Sequence, residues 1–199
     1  MSVDERKLEP IFCADDDWKA NACLDWWHSS LELYAQGYKE AGDRLAEFVI
    51  NKERDQDYLI YPIAFLYRQY IELRLKEIIK EGRILLEDGK DFPKHHKIWD
   101  LWCLAKEIII KVSTDIFDEE PFDLKYAEHV IKEFSQVDPE SFSFRYPTTK
   151  DGDKNLSGIS HINIRRLAEH IESLSKDLES ISTAISVYRE WQQEMWASY

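Results

Sequence analysis

The sequence predicts an all-α protein: an antiparallel bundle of about five helices, with a Pro/Gly-containing loop or a short β-hairpin between the fourth and fifth. Two apolar stripes and one exception carry that expectation. Near the start, Leu24, Trp27, Leu31, Tyr34, Tyr38, Ala41, Leu45 and Phe48 follow one another at alternating steps of three and four. Near the end, Ile164, Leu167, Ile171, Leu174, Leu178, Ile181, Ile185 and Tyr188 do the same. Such spacing lays the residues along one face of an α-helix. Only Phe142, Phe144 and Tyr146 alternate at a period of two.

The elements follow in order. Asp15–Asp17 is placed to start a short helical turn. The first long helix is expected from Leu24 to Phe48, and the second from about Asp57 to about Leu86. Pro62 sits near the beginning of that second helix, where a missing N–H is tolerated. Tyr58 to Tyr67 is almost wholly apolar, which predicts burial on several sides at that end. Asp91, Phe92 and Pro93 form a break, and a third helix runs from about His96 through Leu101, Leu104 and Ile108. Pro121 opens a fourth, with Phe122, Tyr126, Val130 and Phe134 inward. Lys150 to Asn155 is a turn signal, so Phe142–Tyr146 and Ser157–His161 are candidate hairpin strands. The fifth helix starts at Ile164 and reaches Trp191 or Met195. The long seams predict that the first and last helices pack on each other.

A chain of 199 residues fits a single helical domain, with residues 1–14 as a candidate flexible arm. Cys13, Cys23 and Cys103 are odd in number and lack metal-like spacing. They read as small buried thiols in a reducing compartment. Met1 to Pro10 is charged and has no apolar stretch, unlike a signal peptide. The densest apolar run, Ile108–Ile110, is far too short to cross a bilayer. The expectation is a cytoplasmic protein without a membrane partner. The net charge of −13 argues against broad binding to a phosphate backbone, although a local basic cleft could still meet RNA. It favours solubility, or a protein partner with a basic surface.

Most catalytic signatures are missing. There is no P-loop, no Gly-x-Ser-x-Gly elbow, no His-Glu-x-x-His and no Glu-x-x-His. Asp151, Asp153, Asn155 and Ser157 have calcium-loop spacing, but Leu156 and Ile162 occupy the positions that need glycine and glutamate. His95, His96, Cys103 and His129 have no diagnostic zinc spacing. No metal and no cofactor is expected.

Three places remain for chemistry. On the second helix Arg68, Gln69, Glu72 and Lys76 form a polar arc. Its plain reading is a solvated face with a Glu72–Lys76 pair. Its sharper reading is a half-buried Arg68 that needs Glu72. His96 begins the third helix, where an imidazole either decorates the helix start or transfers protons. Arg145 lies among Phe142, Phe144 and Tyr146 and must find a partner or a wet cleft. We expect it to pack on the second helix and reach Glu72 or another carboxylate. Arg68, His96 and Arg145 are the candidate catalytic set. Glu72, Lys76, Ser141 and Tyr146 complete a ligand-binding or structural cleft.

Tyr67-Arg-Gln-Tyr-Ile-Glu-Leu-Arg-Leu-Lys76, His96-Lys-Ile-Trp-Asp-Leu-Trp102 and Ser141-Phe-Ser-Phe-Arg-Tyr-Pro147 together resemble segments of uncharacterised bacterial helical proteins of the HEPN superfamily. The resemblance spans roughly Trp27 to Tyr188. It implies a helical bundle, often dimeric, of toxin–antitoxin and anti-phage systems. Many such proteins are metal-independent ribonucleases with an Arg-x(4–6)-His motif, and others are non-catalytic. Arg165 and His170 match that spacing here and form a reserve pair. On a straight helix their side chains would point about 140° apart. Three functions follow: a non-catalytic interaction module, a metal-independent endoribonuclease, or a binder of a small anionic or nucleotide ligand clamped by Arg68 and Arg145. Trp191 and Trp196, beyond the last seam, suggest a homodimer formed partly by the first or last helix.

Overall fold

A computed structural model of the protein describes residues 11–24, 30–117 and 122–197. The chain divides into two units, residues 1–30 and 31–199. In the described part of the first, a single 3-10 turn, Trp18–Ala20, follows Asp17. The second unit holds α1 (Leu31–Lys52), α2 (Gln56–Leu85), α3 (Ile98–Val112), α4 (Lys125–Val137) and α5 (Ile164–Ala197). A π-helical turn, Ser113–Phe117, extends α3. The protein is an all-α bundle.

The bundle is built around α2, which packs on α1, α3 and α5, while α4 closes against α3 and α5. From Tyr70 to Ile79 nearly every residue of α2 is buried, on all sides of the helix. The short α1–α2 connection reverses the chain, with Glu53 and Asp55 at positive φ. By contrast, α5 runs in the same direction as α2. Ser182 meets Glu77, and Gln192 meets Leu85.

The α5 seam is as predicted: Ile164, Ile171, Leu174, Leu178, Ile181 and Ile185 are buried. The α1 stripe holds only in its middle, where Tyr38 and Leu45 pack against the core. Leu24 is exposed ahead of the helix, Trp27 lies outside the described residues, and Tyr34 and Phe48 face solvent. The buried face is Ala35, Gly42, Ala46 and Val49. The physical reason is close approach: a Cβ on Gly42 would come within 2.8 Å of the Tyr67 ring. Small residues let α1 lie against the bulky α2, and Tyr34 and Phe48 turn outward.

Three further expectations are corrected. The start of α2 is open, with Tyr58 and Tyr61 exposed, because full burial belongs to the helix middle. Of the α4 residues expected inward, Val130 and Phe134 are buried but Tyr126 is largely exposed; Pro121 lies outside the described residues. The three cysteines are exposed rather than buried.

No hairpin forms among the described residues. An isolated bridge, Thr148 to Lys154, closes the turn, and Ser157–His161 pairs with nothing across it. Phe142 to Tyr146 is a tight turn instead: the Arg145 and Tyr146 N–H groups both donate to the Phe142 carbonyl. Turning places Phe142 on Tyr146, ring centroids 4.4 Å apart, and sends Phe144 into the protein. The period of two came from a stacked turn, not from a strand.

Candidate functional site

Arg68 is the centre of the site. It sits in the buried part of α2 with a side chain 0% exposed. Its Nη1 donates to Glu72 Oε2 at 2.6 Å, one turn along the same helix. Its Nε donates to the Asp138 carbonyl at 3.2 Å. Its Nη2 donates to the His96 carbonyl, and more weakly to that of Pro139 at 3.4 Å. One guanidinium therefore ties α2 to the residues before α3 and to the chain leaving α4. The planar fork of arginine suits this, since it carries five donors in fixed directions.

The segment after α4 is shaped to receive it. Asp138 Oδ1 accepts from the N–H groups of Phe142 and Ser143 at 2.6 and 2.9 Å, folding residues 138–143 into a loop. Asp138 Oδ2 stands 3.6 Å from Arg68 Nε. Ser141 is buried and holds φ at 60°, a left-handed conformation that is uncommon outside glycine. That conformation serves two contacts: Gln69 donates to Ser141 Oγ at 3.3 Å, and Arg145 Nε donates to the Ser141 carbonyl at 2.6 Å.

Glu72 joins the rest. Besides Arg68, it accepts from Lys76 Nζ at 2.9 Å and lies 2.8 Å from His96 Nδ1, both at Oε1. Burial pushes its carboxyl up, but the hydrogen bonds from Lys76, Arg68 and His96 outweigh burial and hold it below the usual carboxylate range. Lys76 is itself buried and lies over the Phe92 ring. The His96 ring is 62% exposed. An ionised Glu72 fixes Nδ1 as the donor, and the other ring nitrogen makes no hydrogen bond among the described residues. A carboxylate behind an accessible imidazole can orient it for proton transfer.

The structure brings Arg68, Gln69, Glu72, Lys76, His96 and Ser141 together. The arc on α2 is thus a buried network, not a solvated face. Arg145 meets expectation only in packing on α2, through Phe65. It is exposed and meets no carboxylate among the described residues; its guanidinium lies over the rings of Phe65 and Tyr146. Glu72 is already engaged by Arg68, so the buried arginine strut exists with a different arginine. The two residues of the reserve pair have different surroundings. Arg165 is exposed, and His170 Nδ1 is 2.8 Å from the Tyr126 hydroxyl on α4. His95, His96, Cys103 and His129 do not converge, and no group of three metal-ligating side chains occurs among the described residues.

Sequence reasoning gave Asp138 no role, although an Asp-Pro step at a helix end is a recognisable turn signal. It also missed a second buried pair on α2. Arg74 Nη1 donates to Glu77 Oε2 at 2.7 Å, and Ser182 of α5 donates to Glu77 Oε1 at 2.7 Å. Burial pushes the Glu77 carboxyl up, and Arg74 and Ser182 only partly offset it.

Fold and site define a helical bundle whose central helix is locked by buried, mutually compensated charges. Compared with models of protein families, with curated proteins and with solved structures, the chain matches none.

Proposed function

We propose that this chain is a non-catalytic helical interaction module, HEPN-like in kind, and one component of a two-protein bacterial defence or toxin–antitoxin system. The observation that supports it is the engagement of Arg68. All three of its nitrogens are bonded inside the protein, so it offers no edge to a phosphate. Of the arginines a metal-independent ribonuclease would turn on the transition-state charge, the one beside His96 is thereby taken. A clamp of Arg68 and Arg145 on a small anion lacks support for the same reason. Self-association through the exposed end of α5 belongs to the same reading. The experiment is incubation of the purified protein with mixed RNA, with and without chelator. No cleavage is expected in either; cleavage would overturn the reading.

One observation favours a second reading, the metal-independent endoribonuclease. It is the Glu72–His96 pair, with an accessible imidazole on a buried carboxylate. In that case cleavage would persist in chelator and fall by orders of magnitude in His96→Ala.

A further inference from the structure

We propose that the cleft between the first turns of α2 and residues 143–162 takes an extended acidic peptide of a partner protein. The proposal rests on the interaction-module reading and names the partner's chemistry. The cleft is open, with a volume of about 1250 Å³, and includes Tyr61, Arg145, Tyr146, Lys154, His161 and Ile162 in its lining. That is larger and more open than a typical small-molecule pocket of roughly 300–1,000 Å³.

Its charge opposes that of the chain. Acidic residues outnumber basic ones 39 to 26, and the better-buried cations all have carboxylate partners. Arg145 and Lys154, like some other exposed cations, lack one among the described residues. In the cleft lining they face one carboxylate, Asp57. Arg145 is not merely loose on the surface. Its Nε is fixed by the Ser141 carbonyl at 2.6 Å and its plane lies near two aromatic rings. Its two terminal nitrogens make no hydrogen bond among the described residues, and together they form an edge suited to a carboxylate.

The backbone of the cleft adds a second argument. Gly158, at φ 87°, bends the chain into Ser160–Ile162, whose backbone groups form no backbone hydrogen bond among the described residues. Those unpaired backbone groups can hydrogen-bond the main chain of an extended peptide. Tyr61 and Tyr146 are 47% and 49% exposed and offer rigid apolar surface in the lining. A carboxylate or two per peptide suits a chain of charge −13 better than a strand of RNA, which carries a charge at every nucleotide.

The test is selection of a displayed library of random peptides about ten residues long on the full-length protein. Selected peptides are then measured by fluorescence anisotropy against wild type, Arg145→Glu and Lys154→Glu, with oligouridylate as the nucleic-acid probe. The expected winners combine Asp or Glu with apolar residues and weaken at least about tenfold with Arg145→Glu. Lys154 is exposed, so its variant keeps the fold and decides alone if Arg145→Glu misfolds. Winners without acidic bias, unchanged affinity for the folded variants, or preferential binding of oligouridylate would overturn the proposal. RNA cleavage by the wild type would overturn the module reading separately, while the peptide selection alone decides what the cleft takes.

Discussion

Glu72 is the residue on which the site turns, because three cations or donors share its two oxygens. Glu72→Gln leaves Lys76 buried without a compensating charge and Arg68 with only the Asp138 carboxylate, 3.6 Å away. We expect a loss of about 3–5 kcal/mol, read by urea denaturation. Arg145→Ala breaks two ring contacts and one part-buried hydrogen bond and should cost about 1–2 kcal/mol. The pH dependence follows from the direction of the Glu72 shift. Its carboxyl is lower in the fold than in the unfolded chain, so the unfolded state takes up the proton first as pH falls. Its stabilisation is present above the ordinary carboxylate range and is lost as pH drops through the depressed value. A series of melts through that acid window should fall steeply for wild type and less steeply for Glu72→Gln; parallel slopes would refute the assignment. Much of this was legible. The one-turn spacing of Arg68, Glu72 and Lys76 announces a chain of pairs, and the need of a half-buried arginine for a carboxylate selects Glu72. Asp138 was not, because its partner lies seventy residues away and two of its bonds are made by backbone groups. Arg145 misled because its aromatic neighbours were expected to take it inward with them, whereas in the turn only Phe144 goes in and Arg145 and Tyr146 stay outside.

At the level of elements, α2 and α5 set the architecture through opposite devices, one crowded with charge and the other almost purely aliphatic inward. Where they meet α3, Gly82 leaves no spare room: a Cβ there would overlap Ile108 Cγ2. Gly82→Ala would gain helix propensity of about 1 kcal/mol. The overlap falls on a β-branched side chain that is stiff and nearly buried, and overpacking costs about 1–3 kcal/mol. We expect net destabilisation and a lower melting temperature, whereas an equal or higher one would show that α3 moves aside freely. Leu174→Asp should be far more severe, because it buries a charge at a fully enclosed position. The α5 seam was readable because large aliphatics can pack at only one face. The α1 seam was not, since Ala and Gly carry little hydrophobic signal yet decide which face comes closest. Only a partner as bulky as Tyr67 reveals why the small face wins.

For the molecule as a whole, charge and apolar surface pull in opposite directions. Val187, Trp191 and Met195 fall on one side of the last turns of α5, and all are exposed. The end of α5 is anchored to α2 by Arg189 to Glu81 and by Gln192 to the Leu85 carbonyl, so these side chains project from a held helix rather than a loose tail. Exposed tryptophan and methionine in one patch are typical of association surfaces. A second copy of this chain would bury that patch by two-fold symmetry, but each copy carries −13. Repulsion between two such chains is long-ranged at low salt and is screened over about 10 Å at 0.1 M. Burial of aromatic surface is not weakened by salt in the same way. The homodimer should therefore strengthen as salt is raised, the reverse of a complex held by opposite charges. Light scattering across a concentration series at low and physiological ionic strength tests this. We expect the mass to approach twice the monomer sooner at the higher salt, and Trp191→Glu to keep it monomeric. A mass that stays monomeric at every concentration and both salts would refute the dimer, and a dimer unaffected by Trp191→Glu would move the interface away from the end of α5.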